Sequence, residues 1–208
     1  MRRKKTGYIL LGLLVITGLA GTTSGSISGK ERKNAVGLMK NTRTDVLKSI
    51  KDLSAMQANF KTSTQQWSVK ECIYHIAASE NKLWQQLQAS LKLPANPEKR
   101  TEIKLTDEDV VNLMQQRAFK GETNESPELM HLTFNYKSLD AAITDFKQKR
   151  AEHIDYIKST TEDLRNHVVQ TPLGWIDCYQ LYLVIASHAN RHVQQICEIK
   201  EDFGYPTN

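Results

Sequence analysis

Apolar residues recur at helical spacing along most of the chain, and four long stretches stand out. Met39, Val46, Ile50, Leu53 and Phe60 keep a helical period with gaps, which predicts a first helix over about 34–59. A second begins at Ser68-Val69-Lys70-Glu71, a capping box in which Ser68 caps the helix and Glu71 reaches back. Ile73, Ile76, Leu83, Leu87 and Leu91 mark its apolar stripe, and Pro94 stops it. Leu139, Ile143, Phe146, Ile154 and Ile157 predict a third helix over about 138–160. The fourth starts near Asp177, with Gln180 three residues on, and ends before Gly204; its stripe is Leu181, Val184, Ile185, Ile196 and Ile199.

The stretch 94–137 is less regular. Thr106-Asp107-Glu108-Asp109 opens a short helix with acidic residues at its positive end, and Val110, Leu113 and Met114 line one side. Leu132-Thr133-Phe134 alternates too weakly to be assigned as a strand. Four amphipathic helices of these lengths make an all-α four-helix bundle, with a long excursion containing the short helix between helices two and three. The short link between helices one and two makes them antiparallel neighbours, whereas the long link lets helices two and three run parallel.

Composition sharpens this picture. Seven of the ten glycines lie at or before Gly37, leaving Gly121, Gly174 and Gly204 for the rest. So little glycine disfavours hairpins and phosphate-cradling loops. The net charge of +5 owes most to Arg2, Arg3, Lys4 and Lys5; without them 24 basic residues face 23 acidic ones. No basic domain remains, so nucleic acid is excluded as a partner. That basic cluster precedes an apolar run from Tyr8 to Ala20, too short to span a bilayer but the length of a signal-peptide core, with small residues at Gly18-Leu19-Ala20. Residues 1–20 are therefore expected to be an export signal, which places the mature protein in the periplasm or outside the cell. The alternative is an uncleaved anchor, and only then a membrane contact. No cysteine follows the run, so lipoprotein processing is excluded. Residues 21–33 are rich in Gly, Ser and Thr and are expected to be a flexible linker, with the bundle domain over 34–204. Cys72, Cys178 and Cys197 fall in predicted helices at spacings that make no disulfide framework and are expected to be small buried residues. No pattern commits to a partner chain; a homodimer stays open.

Of six histidines, His188 and His192 stand four apart on the fourth helix. That spacing turns about 40° and rises about 6 Å, so two imidazoles can reach one ion. Both continue the stripe of Leu181, Val184, Ile185, Ile196 and Ile199 into the core, where two unpaired rings would be costly and a shared metal would satisfy them. His75 flanks Ile73 and Ile76 on the second helix and can face the pair if those helices are antiparallel neighbours. Each of these histidines could otherwise be a core residue bonded to backbone. His131, His153 and His167 have no spaced partner.

The stretch Gln66-Trp67-Ser68-Val69-Lys70-Glu71-Cys72-Ile73-Tyr74-His75-Ile76-Ala77-Ala78-Ser79-Glu80 resembles the start of helix two in the DinB-like family. Thr171-Pro172-Leu173-Gly174-Trp175, followed by Ser187-His188-Ala189-Asn190-Arg191-His192-Val193-Gln194-Gln195-Ile196, resembles that family's fourth helix. The resemblance covers roughly 34–201. It implies up-down-down-up topology and a single metal held by one histidine from helix two and two from helix four, positions that fall on His75, His188 and His192. It also implies either a metal-dependent hydrolase or a thiol S-transferase using a low-molecular-weight thiol such as mycothiol or bacillithiol. An export signal departs from the second, because such thiols are mainly cytoplasmic.

The expected cofactor is one divalent ion, zinc by default, with nickel, iron or manganese also compatible, because three nitrogens select weakly. Ser79 and Gln195 are candidates to support the ligands; Arg191 is directed about 100° from His192 toward the helix flank. Glu80, five residues past His75, is poorly placed as a general base, which stays unassigned. The substrate is an unidentified small molecule. The competing reading is a non-catalytic exported metal- or ligand-binding stress protein, whose ion ties helices two and four together.

Overall fold

The computed structural model describes residues 26–116 and 135–207. The signal-like segment 1–20, His131 and the stretch Leu132-Thr133-Phe134 lie outside the described residues. The elements in chain order among the described residues are α1 (Gly29–Ser49), α2 (Ala55–Asn59), α3 (Val69–Leu91), a short 3-10 segment (Pro97–Glu102), α4 (Asp107–Gln115), α5 (Leu139–Ser159), β1 (Val168–Thr171), β2 (Gly174–Asp177) and α6 (Cys178–Lys200). No helix among the described residues is long and apolar enough to cross a membrane.

The long helices start where local chemistry directs them. Ser68 with Glu71 and Asp177 with Gln180 form reciprocal capping boxes at the heads of α3 and α6, as Thr106 with Asp109 does for α4. Two boundaries differ from the sequence pattern. α1 begins at Gly29, so residues 29–33 are helical rather than linker. The reason is a further capping box: Ser28 Oγ accepts from Glu31 N–H, and the Glu31 carboxylate accepts from Ser28 N–H. The predicted single helix over 34–59 is two helices. Asp52 adopts a left-handed conformation at φ 56, which ends the first, and Ser54 with Gln57 caps a new start for α2.

Named contacts establish the topology. Arg32 at the head of α1 donates to the carbonyls of Ile157 and Thr160 at the tail of α5, so α1 and α5 are antiparallel. Tyr179 at the head of α6 donates 2.8 Å to the Glu31 carbonyl at the head of α1, so those two are parallel. Asn81 meets Asp145, and one turn on Trp84 meets His153 and Tyr156, so α3 and α5 are parallel. The order is up-down-down-up. α1 and α3 each pack on α5 and α6 and stand diagonally opposite one another. This corrects the expectation that the first two helices are neighbours: the link 50–68, with α2 inside it, is long enough to cross the bundle.

A hairpin precedes α6, against the expectation from glycine scarcity. β1 and β2 are antiparallel, with Val168 opposite Asp177 and Thr171 opposite Gly174. One glycine suffices. Gly174 takes φ 91 just after the Pro172-Leu173 turn, a conformation that side chains resist. Asn96 clasps β1 by donating 3.0 Å to the Val168 carbonyl and accepting 2.8 Å from its N–H. At this end Arg165 joins the heads of three helices, contacting Glu31, Asp107 and Asp177, with its guanidinium 4.2 Å from the Tyr179 ring. Cys72 and Cys178 are buried as expected, but Cys197, on the last turns of α6, is exposed.

Candidate metal centre

The other end of the bundle holds the histidines. α3 runs against α6, so the second turn of α3 lies beside the middle turns of α6. There His75 meets His188 and His192. Their ring centroids are 5.2 Å (75–188), 4.5 Å (75–192) and 4.7 Å (188–192) apart. One ring nitrogen from each lies within 4.8 Å of the other two, the only such convergence of His, Cys, Asp or Glu among the described residues. His75 and His192 are buried, and His188 is partly exposed.

Hydrogen bonding leaves the cluster incomplete. His188 Nε2 and His192 Nε2 face one another at 3.2 Å. His75 Nδ1 is buried with no hydrogen-bond partner. A buried polar atom left unpaired costs about 1–3 kcal/mol. Two further nitrogens are braced by the two residues expected to support the site: Ser79 Oγ is 3.2 Å from His75 Nε2, and Gln195 Oε1 is 3.1 Å from His192 Nδ1. When His192 Nδ1–H donates to Gln195, the Nε2 lone pair points toward its neighbours, the tautomer a ligand needs.

Electrostatics keeps the rings neutral. Burial is the largest cause for all three. It pushes His188 down to about 4, reinforced by the positive charge of Arg191 and opposed by Glu80. His75 is held well below the ordinary histidine range by burial, then by His188 and Arg191. His192 is held there by burial, then by His188 and His75, with the Gln195 contact opposing. Arg191, expected on the flank, is thus near enough for its charge to reach all three rings. Three neutral imidazoles with unsatisfied nitrogens fit a borderline divalent ion such as zinc.

The DinB superfamily model matches residues 38–196 of this chain, which take in all three histidines. The chain belongs to the DinB superfamily. A solved structure, YfiT from Bacillus subtilis, is similar in fold, with a TM-score of 0.58 and 12% sequence identity over 87% of this chain and 92% of its own. YfiT is described as a probable metal-dependent hydrolase with an unusual four-helix bundle topology. No curated protein matches the chain.

The other described histidines of this DinB superfamily protein stand elsewhere. His167 Nδ1 lies 2.7 Å from the Asp163 carbonyl and Nε2 3.1 Å from that of Leu93, which braces the base of the hairpin. His153 belongs to a buried network that the sequence reading did not assemble. Arg150 Nε donates to the Glu80 carboxylate at 2.8 and 3.1 Å, Arg150 Nη1 donates to Thr42 Oγ1 at 2.7 Å, and His153 Nδ1 lies 2.9 Å from Glu80. The signal was present: Glu80 follows Ile76 by four residues, and Arg150 follows Phe146 by four, so both occupy core positions of their stripes. Burial works against the charge of Glu80, but Arg150 and His153 outweigh it and hold the carboxyl below its ordinary value. Enclosed in this way, Glu80 is not a base for the histidine site.

Proposed function

We propose that this DinB superfamily protein binds one divalent metal through His75, His188 and His192 and acts as a metal-dependent hydrolase on a small molecule. The observation that carries the reading is the convergence of three neutral imidazoles, from two antiparallel helices, on one point, with a ring nitrogen of His75 unsatisfied and the Nε2 atoms of His188 and His192 facing one another. The description of YfiT, similar in fold, supports the same class of chemistry. An ion bound there would supply a +2 charge uncompensated by its ligands, able to acidify water toward a pKa of about 7 or to polarise a carbonyl.

The protein's own residues would do the rest. His75, His188 and His192 donate without needing to lose a proton at neutral pH, because their environment already keeps them neutral. Ser79 and Gln195 fix two of the rings. Arg191 adds positive charge beside the site, which favours an anionic group in the substrate or along the reaction. We also propose export, on the basic cluster and apolar run of residues 1–20. That location disfavours thiol transfer and so favours hydrolysis.

Metal analysis of the purified protein, with and without His188→Ala, tests the centre: one equivalent in the parent and little in the variant is expected, and equal occupancy overturns the site. A panel of ester, amide and phosphoester substrates, run beside thiol-transfer assays, tests the reaction. Turnover lost on chelation and restored by zinc is expected for hydrolysis. Turnover that requires an added thiol would reassign the protein as a transferase, and none in either panel on the loaded protein would favour a binding role. N-terminal sequencing of the native protein should recover a start near Gly21; recovery of Met1 in a membrane fraction would establish an anchor.

A further inference from the structure

Trp67 is the residue before the N-cap of α3. The capping box of Ser68 and Glu71 pins the chain there, so the indole enters the bundle at a fixed point. Its ring lies 4.8 Å from the ring of His75 and stacks on His192 at 6.0 Å and 19°. Among the described residues it is the one aromatic side chain outside the triad in ring contact with it. Hydrogen bonds alone do not set the ring of His75. Its Nδ1 has no partner, and Nε2 has only Ser79 at 3.2 Å, a hydroxyl free to rotate. The orientation of that ring therefore depends on the rings packed around it, and outside the triad this is Trp67, tilted 54° to it.

We infer that Trp67 is a positioning residue of the metal centre: its indole holds the rings of His75 and His192 in ligand orientation before an ion arrives and keeps water from that side. The inference rests on the metal-binding reading of the three histidines. Trp67 needs no polar atom for this role, so a smaller aromatic ring preserves most of it and a methyl group does not. Partners that orient metal ligands typically change affinity by about 10–100-fold when removed.

The test uses the full chain with Trp67→Phe, Trp67→Ala and His188→Ala, titrated with Co(II), whose visible absorption reports ligand number and geometry. The parent is expected to bind one Co(II). Trp67→Phe should retain that spectrum within about threefold in affinity, and Trp67→Ala should bind about 10–100-fold more weakly with an altered spectrum. Parent affinity and spectrum in Trp67→Ala would overturn the role of Trp67 and leave the metal centre standing. A parent that binds no Co(II), or binds it no better than His188→Ala, would overturn the metal reading and this inference with it. Should Trp67→Ala lose its helical circular dichroism, a Trp84→Phe/Trp175→Phe protein leaves Trp67 as the sole tryptophan of the original three. Its emission should be strongly quenched by one equivalent of Co(II), and emission unchanged by stoichiometric Co(II) would overturn the inference.

Discussion

Two buried polar clusters share this bundle, and they are built on opposite principles. Midway along, Arg150, Glu80 and His153 combine opposite charges, and the guanidinium touches all four long helices: Glu80 on α3, Thr42 and the Met39 carbonyl on α1, its own α5, and the Ile185 carbonyl on α6. In the other cluster, His75, His188 and His192 hold no compensating carboxylate, and the Nε2 atoms of His188 and His192 face one another. The first cluster pairs its charges without a guest; in the second no opposite charge is supplied. An orphan nitrogen alone does not mark a metal site. His153 Nε2 is also buried without a partner, but it faces the Trp84 ring at a centroid distance of 4.1 Å and no second ligand atom converges on it. Convergence, rather than burial, separates the two.

The largest effect should come from breaking the complete cluster. Arg150→Met or Glu80→Leu alone leaves a buried charge uncompensated and is expected to cost about 3–5 kcal/mol in urea unfolding. The double variant should recover most of that, because an apolar pair of similar volume is often as stable as a buried ion pair. Two single losses that simply added would show the pair was not the source. Next, His188→Ala should reduce metal affinity by roughly two orders of magnitude or more, since it removes a ligand outright, whereas His153→Ala should cost stability and leave metal content unchanged. Isothermal titration of both variants checks the contrast.

Acid should separate the clusters by window. The three histidines of the end cluster have depressed folded-state values, so the metal-free protein binds fewer protons folded than unfolded. Their contribution is fully present above the ordinary histidine value of 6.5 and is lost as pH falls from there toward the His188 value of about 4. Glu80 is also depressed, but from 4.5, so its contribution persists until pH falls below that value. Unfolding free energies of the metal-free protein should therefore begin to decline near pH 6.5, and His188→Ala should flatten that early decline while leaving the later one. The smallest effect is expected of Gln195→Ala, about a tenfold loss in metal affinity without a change in unfolding midpoint of the metal-free protein; a larger loss of stability would make Gln195 a structural residue instead.

Much of the candidate metal centre was legible along the chain because its parts are local. The i, i+4 pair of His188 and His192 lies on one helix face whatever the surroundings, and Ser79 and Gln195 each stand one turn from the ligand they brace. The Arg150 network was less legible. Its members are polar residues in apolar stripes on separate helices, and nothing in one stripe names its partner in another. Trp67 lies in the stretch Gln66–Glu80, but its contact with His192 spans a separation that no periodicity encodes.

The sequence by itself determined the starts of α3, α4, α5 and α6, the predominantly helical class and the helix faces that carry His75, His188 and His192. Capping side chains and apolar spacing act within a few residues, so they work before any tertiary contact exists. Only the tertiary structure decided that α1 and α3 lie across a diagonal, that one glycine turns a hairpin ahead of α6, and that Glu80 closes on Arg150 rather than on the histidines. Those outcomes depend on which faces meet. That choice is set by burying all four stripes at once, with every enclosed charge paired, and it is a property of the assembled bundle rather than of any one helix.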